Sequence, residues 1–307
     1  MKRILLALAI LALIGGGAFW FLTSPSIQKA GLEPVPGGTP DLANGRTIFL
    51  AGGCASCHAT PKQEDKTRLG GGLALKSPFG TFNVPNISPH PGDGIGSWTE
   101  AQFQRAMRGG VSPDGRHYYP AFPYAAYQRL ANTDIRDLFA YLKSLPAVEG
   151  RAPEHDLPFP FNVRRGVGLW KLAVLDGKAF MPDPSKSPSL NRGADLVEAA
   201  GHCAECHSPR NALGMIPDHR RYAGGPNPEG EGWVPNITPD ATGIKDYSKG
   251  DVAEILSSGM IPSGDFVGGP MAPVVANTSE LSAADRDAMA EYLLSLPPRA
   301  AEKRPGL

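Results

Sequence analysis

The most one-sided stretch of the chain is its beginning. Ile4 to Leu22 is apolar, relieved only by Gly15, Gly16 and Gly17, and Lys2 and Arg3 precede it. About 20 apolar residues are enough to cross a bilayer as a helix. Charges ahead of the run stay on the cytoplasmic side and place the rest outside. A cleaved signal peptide opens the same way. Here the run closes Phe19-Trp20-Phe21-Leu22, where a cleavage site would want small residues, and this favours a signal-anchor over residues 1–23. Under either reading the remainder of the chain is exported.

Further on, the apolar positions follow a helical period. Leu138, Tyr141, Leu142 and Leu145 have the i, i+3, i+4, i+7 spacing of one helix face, and so do Met289, Tyr292, Leu293 and Leu296. Thr133 is expected to cap the first helix, and Ser282 with Asp285 to open the second as a capping box. Pro146 and Pro297 stop them. The offset of 151 between these faces belongs to a repeat that runs through the chain. Val84-Pro85-Asn86-Ile87-Ser88-Pro89 returns 150 positions later as Val234-Pro235-Asn236-Ile237-Thr238-Pro239, and Gly94-Ile95 returns 149 later as Gly243-Ile244. Thr99 and Ser248 then stand as caps of another matching pair of helices. The pattern predicts two domains, residues 41–148 and 192–307, each ending on an amphipathic helix.

Between these units the character changes. Residues 24–40 are rich in Pro and Gly and read as a tether. The interdomain segment 149–191 contains Val163 to Leu175, where Leu169, Trp170, Leu172 and Val174 predict a short helix packing the two domains together. Composition narrows the partners. Thirty Lys+Arg balance 30 Asp+Glu over 307 residues, and no basic stripe is present to meet nucleic acid. With 37 Gly and 31 Pro, helices should be short and separated by shaped loops.

Four cysteines make up two copies of one pattern, Cys54-Ala55-Ser56-Cys57-His58 and Cys203-Ala204-Glu205-Cys206-His207, 149 positions apart. C-x-x-C-H reads as c-type haem attachment. Two thiols three positions apart on one helical turn can each add to a vinyl group of one porphyrin, and the adjacent histidine can then ligate the iron. Redox disulfides and zinc knuckles use the same residues. However, a zinc pair usually sits within about 20 residues, and neither alternative needs a histidine after the second cysteine in both copies. Two haem c groups are therefore expected, on Cys54/Cys57 and Cys203/Cys206, with His58 and His207 as proximal ligands.

The second axial ligand separates the copies. Met/His ligation raises the potential of a haem, and Met271, in Gly268-Gly269-Pro270-Met271, lies 64 residues after His207, with Met260 as its nearest rival. At the same distance after His58 stands Phe122, within Tyr119-Pro120-Ala121-Phe122-Pro123-Tyr124, and a phenyl ring cannot ligate iron. Met107 aligns with Leu256 and reads as a core residue. His90 and His117 remain, and His117, five residues before Phe122, is the candidate distal ligand of haem 1; the alternatives are a loop histidine bonding a haem propionate or solvent, and an iron whose sixth position is open. A haem without methionine should have the lower potential.

An early haem motif and a late amphipathic helix form the layout of a small cytochrome c domain. The sequence resembles the membrane-bound cytochrome c subunits of bacterial alcohol, gluconate and nicotinate dehydrogenases. The likeness runs through Gly71-Gly72, Pro78-Phe79-Gly80-Thr81, both Pro-Asn-Ile segments, Tyr119 to Tyr124, and Cys206-His207-Ser208-Pro209-Arg210-Asn211. It implies an all-α protein of two tandem class I-like cytochrome c domains behind an N-terminal transmembrane helix, with Met271 as a distal ligand. It also implies electron transfer at the periplasmic face of the membrane, from a dehydrogenase to a quinone, oxidase or cytochrome. The chain departs from those subunits in having two C-x-x-C-H motifs where they typically have three, and Phe122 where many have methionine. The alternative is a dihaem redox enzyme of the peroxidase or thiosulfate dehydrogenase type with haem 1 as its active site. A chain cleaved after its leader would be soluble in the periplasm.

Overall fold

In the computed structural model the described residues are 1–228, 230 and 232–302, so the last five positions of the expected second domain lie outside them. Helix α1 (Lys2–Leu22) leads, every residue of it half-buried or exposed. It is the one helix among the described residues long and apolar enough to cross a membrane. The first half follows with α2 (Leu42–Ala51), the turn α3 (Cys54–His58), a hairpin of β1 (Ala74–Ser77) and β2 (Gly80–Asn83), and α4 (Glu100–Gly109), α5 (Tyr124–Tyr127) and α6 (Asn132–Ser144). Next comes α7 (Val167–Val174). The second half repeats the order with α8 (Pro188–Asp195), the turn α9 (Ala204–His207), the hairpin β3 (Gly225–Pro226) and β4 (Trp233–Val234), and α10 (Lys249–Ser258), α11 (Met271–Thr278) and α12 (Ala283–Ser295).

The architecture is mainly helical as expected, with two short hairpins added. Both are antiparallel and short, pairing Ala74 to Ser77 with Asn83 to Gly80, and Gly225–Pro226 with Val234–Trp233. Within each half the first helix crosses the last, α2 on α6 and α8 on α12. The crossings are close because a glycine sits at each: a methyl on Gly45 or Gly193 would collide with the carbonyl of Asp137 or of Ala288. The faces read from the helical period are the ones buried. Leu138 and Leu142, and Met289, Leu293 and Leu296, enter one core that runs through both halves with Ile48, Leu130, Leu196 and Val197.

Of the four caps expected from the sequence, three are made by the expected residue. Thr99 and Ser248 each close a full capping box, with Gln102 and Asp251. Ser282 accepts from the Asp285 N–H and donates its hydroxyl to that carboxylate, so one half of the expected capping box forms. Thr133 does not cap α6, which begins one residue earlier with Ala131 as an N-cap that makes no side-chain bond. Both terminal helices end two residues before their proline, with Leu145 and Leu296 already extended, as steric conflict with the proline ring requires.

The first part of the expected tether, residues 24–31, is packed, while 34, 35 and 37–40 are exposed. Thr23, Gln28 and Ala30 are buried, and the Arg105 guanidinium donates to the carbonyl oxygens of Pro25 and Gln28. Packed backbone of this kind holds the end of α1 against the first half. Arg165 adds a second fastening, its guanidinium 3.7 Å from the Trp20 ring centroid and its Nε donating to Thr23 Oγ1 at 3.2 Å. The predicted helix over 163–175 forms as a 3-10 turn (Arg164–Gly166) running into α7. Lys171 anchors it in the first half, donating to the carbonyl oxygens of Gly109 and Gly110 over the Tyr124 ring. Trp170 Nε1 reaches the Leu213 carbonyl of the second half.

Candidate haem-binding sites

Each C-x-x-C-H segment is one short helical turn, α3 or α9, placed directly after the helix that crosses the terminal helix of its half. A turn of helix sets residues three apart on neighbouring positions of one face, so Cys54 and Cys57, and Cys203 and Cys206, share a side. None of the four is in a disulfide. Burial pushes Cys54 and Cys203 up to about 12, so both are neutral and apolar in character. Among the described residues, no group of three or more His, Cys, Asp or Glu has the geometry to hold a metal ion.

The histidines are held alike. His58 Nδ1 lies 2.8 Å from the Pro85 carbonyl oxygen, and His207 Nδ1 lies 2.8 Å from that of Pro235. A carbonyl only accepts, so Nδ1 carries the proton and the Nε2 lone pair is left to a ligand. Iron-ligating histidines are oriented in this way by a partner on the other ring nitrogen. Burial lowers both imidazoles from the usual histidine range, which keeps that lone pair available. The backbone oxygen of each histidine accepts a further bond, from Gly71 N–H and Gly224 N–H, both at 2.8 Å. The residues therefore fit a porphyrin attached through the two thiols with its iron on His58 or His207.

This geometry explains the repeated Val-Pro-Asn-Ile segments, whose role the sequence left unassigned. Proline presents the carbonyl to the histidine, and the following asparagine fixes the segment. Asn86 accepts from Ser88 N–H at 2.8 Å and donates to Val148 and Gly150 oxygens at 2.7 and 2.9 Å. Asn236 accepts from Thr238 N–H at 2.8 Å and donates to Arg299 O at 2.6 Å. In each half the asparagine ties the histidine's partner to the strand of chain leaving the last helix. Recurrence at one offset was the signal that could have identified it.

The candidate distal residues are held in different ways. Met271 opens α11, half-buried at its first turn, and α11 rests on α10 through Thr278 Oγ1, which donates to Leu256 O at 2.6 Å. The rival Met260 is 40% exposed. Phe122 packs against the core, edge-on to Tyr118, Tyr124 and Tyr127. Met107 is a core residue, 5% exposed. His90 accepts from the Asp93 N–H through Nδ1.

His117 corrects the sequence reading. Its ring is buried, with Nε2 2.8 Å from the Thr23 carbonyl at the end of α1, and a methyl on Gly168 of α7 would come within 3.0 Å of that nitrogen. The Nε2–H is donated to Thr23, and the ring faces α1 and α7 rather than the Cys54–His58 turn. It therefore does not stand as a distal ligand. Proximity in sequence to Phe122 misled, because the Val111–His117 bridge turns consecutive side chains to opposite sides.

Residues 42–146 and 190–297 each match the cytochrome c family. Among characterised proteins, the chain is 48% identical to a "Diheme cytochrome c-type" of Cereibacter sphaeroides, over 97% of this chain and 99% of that one. It is 38% identical to a nicotinate dehydrogenase subunit of Pseudomonas putida over 93% of this chain and 24% of that protein. The "Fructose dehydrogenase cytochrome subunit" of Gluconobacter japonicus is 36% identical over 91% and 58%. Two matched segments and a dihaem relative of full length support two haem c groups.

Proposed function

The chain belongs to the cytochrome c family, and from that premise we propose that it is a dihaem electron carrier serving a membrane dehydrogenase. Two tandem domains, 41–148 and 192–307, each bind one haem, through Cys54 and Cys57 with His58, and through Cys203 and Cys206 with His207. Met271 is the distal ligand of the second haem. The first has no methionine in the matching place, since Phe122 stands there, Met107 is in the core and His117 is engaged by Thr23.

When bound, the haems supply reversible one-electron chemistry. The protein's part is to hold the histidines neutral and oriented, to hold the attachment turns half-buried, and to set the potentials apart through the axial ligand. Electrons would arrive from a dehydrogenase, as the names of several relatives suggest, and leave to a quinone, oxidase or cytochrome of the respiratory chain. Helix α1 would anchor the protein at the periplasmic face of the membrane. Trp20 at its end, braced by Arg165, suits the interfacial depth where tryptophan is enriched.

The matched proximal geometry, Nδ1 on a proline carbonyl at 2.8 Å in both halves, carries this reading. It can be tested by expressing the chain in a host that matures c-type cytochromes. Two covalent haems per chain and reversible reduction at two midpoints are expected, with negligible peroxide or thiosulfate turnover. One haem per chain would refute it, and rapid peroxide turnover would favour the enzyme alternative.

A further inference from the structure

The two halves meet at their haem-attachment turns, and they meet nearly symmetrically. A Cβ placed on Gly52 would lie 3.5 Å from the Ala200 oxygen, and one placed on Gly201 would lie 3.7 Å from the Ala51 oxygen. Since 201 and 200 are the repeat equivalents of 52 and 51, each half offers the same backbone to the other, as at the interface of a two-fold dimer. Asn277 of α11 adds a bond across the junction, its Nδ2 donating to Ser56 Oγ at 2.8 Å, while Tyr127 of α5 donates to Gly52 O within its own half at 3.3 Å.

The halves differ at the residue before the first cysteine of each motif. Gly53, just before Cys54, has φ +58°, the left-handed region where glycine is at ease. Its equivalent before Cys203 has the same left-handed turn, φ +41°, but is His202. The hydrogen bonds of the two turns match, Ser56 N–H to Gly53 O at 2.9 Å and Glu205 N–H to His202 O at 2.8 Å. Glycine would therefore serve at 202 as it does at 53, and a histidine bears a backbone strain there that its twin avoids. What the side chain adds is contact across the interface. Its Nε2 lies 3.2 Å from Gly52 O, and its ring stands edge-on to Tyr127 at 5.7 Å and 80°.

Resting on the two-haem reading above, we propose that His202 is the positioning residue of a bridge between the haems. Its Nε2–H, donated to Gly52 O, joins Cys203 to Cys54 by a path of backbone, one side chain and a single hydrogen bond. It also fixes the separation of the two attachment turns. The step it serves is the passage of one electron, with one iron oxidised as the other is reduced and no bond made or broken. No residue on the path gains or loses a proton.

The test uses the full-length protein with both haems attached. His202→Gly relieves the backbone and removes the bridge, while His202→Gln keeps an amide donor at similar reach. Two measurements report on it: the electronic coupling of the haems, read as a bisignate Soret circular dichroism signal, and the rate of intramolecular electron equilibration after photoreduction. In H202G the rate should fall severalfold through the weakened coupling, and the coupled signal should weaken, with both midpoints unmoved. H202Q should recover both. An H202G protein carrying two haems with wild-type rate and coupling would overturn the bridge. If H202G fails to attach both haems, H202Q compared with H202L decides: a rate kept in the first and lost in the second supports the bridge, and equal rates overturn it. A wild-type chain with fewer than two haems would instead refute the function on which the bridge rests.

Discussion

Asn86 offers the sharpest test of how the proximal site is built. It is 5% exposed, and the Ser88 N–H it accepts belongs to a fully buried residue. In Asn86→Ala that N–H is orphaned, which costs about 1–3 kcal/mol. The two bonds donated by Nδ2 are also lost, but their acceptors are not stranded. Val148 O keeps a bond from Ser88 Oγ at 3.2 Å, and Gly150 is exposed to water. Those losses add a net contribution nearer 1 kcal/mol, for a sum of about 2–4 kcal/mol. Urea unfolding followed by far-UV circular dichroism should show a lower midpoint at unchanged slope, and the melting temperature should fall by about 10 °C. Asn236→Ala should behave alike, since Thr238 N–H is orphaned in the same way. The disturbance should also reach the iron, because Pro85, which orients His58, is the preceding residue. A loss below about 0.5 kcal/mol in both variants, with unaltered haem spectra, would refute the idea that these asparagines hold the histidine's partner in place.

Burial lowers His117 from 6.5 to about 4, so it folds neutral, and the unfolded chain binds the proton more readily between those values. Its stabilisation is present above pH 6.5 and is lost as the pH falls towards 4, by on the order of 3 kcal/mol. His117→Gln, which keeps a donor for Thr23 but cannot titrate there, should flatten this slope in urea titrations at stepped pH. Met271→Ala should lower the potential of the second haem and abolish its sulfur–iron charge-transfer absorption, while Phe122→Met should raise the potential of the first. A wild-type redox titration with the Cys54/Cys57 haem at the higher midpoint would contradict the ligand assignment. Gly193→Ala drives a methyl into the Ala288 carbonyl at the α8–α12 crossing, and should cost about 1–3 kcal/mol, measurable by the same unfolding assay.

Much of this protein was legible as text because its chemistry is local or periodic. C-x-x-C-H is a contiguous code, since one helical turn brings both thiols and the histidine to one porphyrin. The repeat survives at 149–151 positions because both halves solve one packing problem, and the buried faces of α6 and α12 follow from their spacing. Side-chain direction at long range was not legible. His117 shares a loop with Phe122, yet an alternating backbone turns its ring to the end of α1, and residues 24–40 look like a linker until Arg105 is seen to hold their carbonyls. The roles of Pro85 and Asn86 show as recurrence, but only the fold brings that carbonyl, 27 positions along the chain, to the His58 ring. His202 is the extreme case. In sequence it is an ordinary residue before a cysteine, and its partner, Gly52, lies 150 positions away. Contacts between the halves depend on how two finished surfaces dock, and that is a property of the assembled backbone rather than of any local pattern.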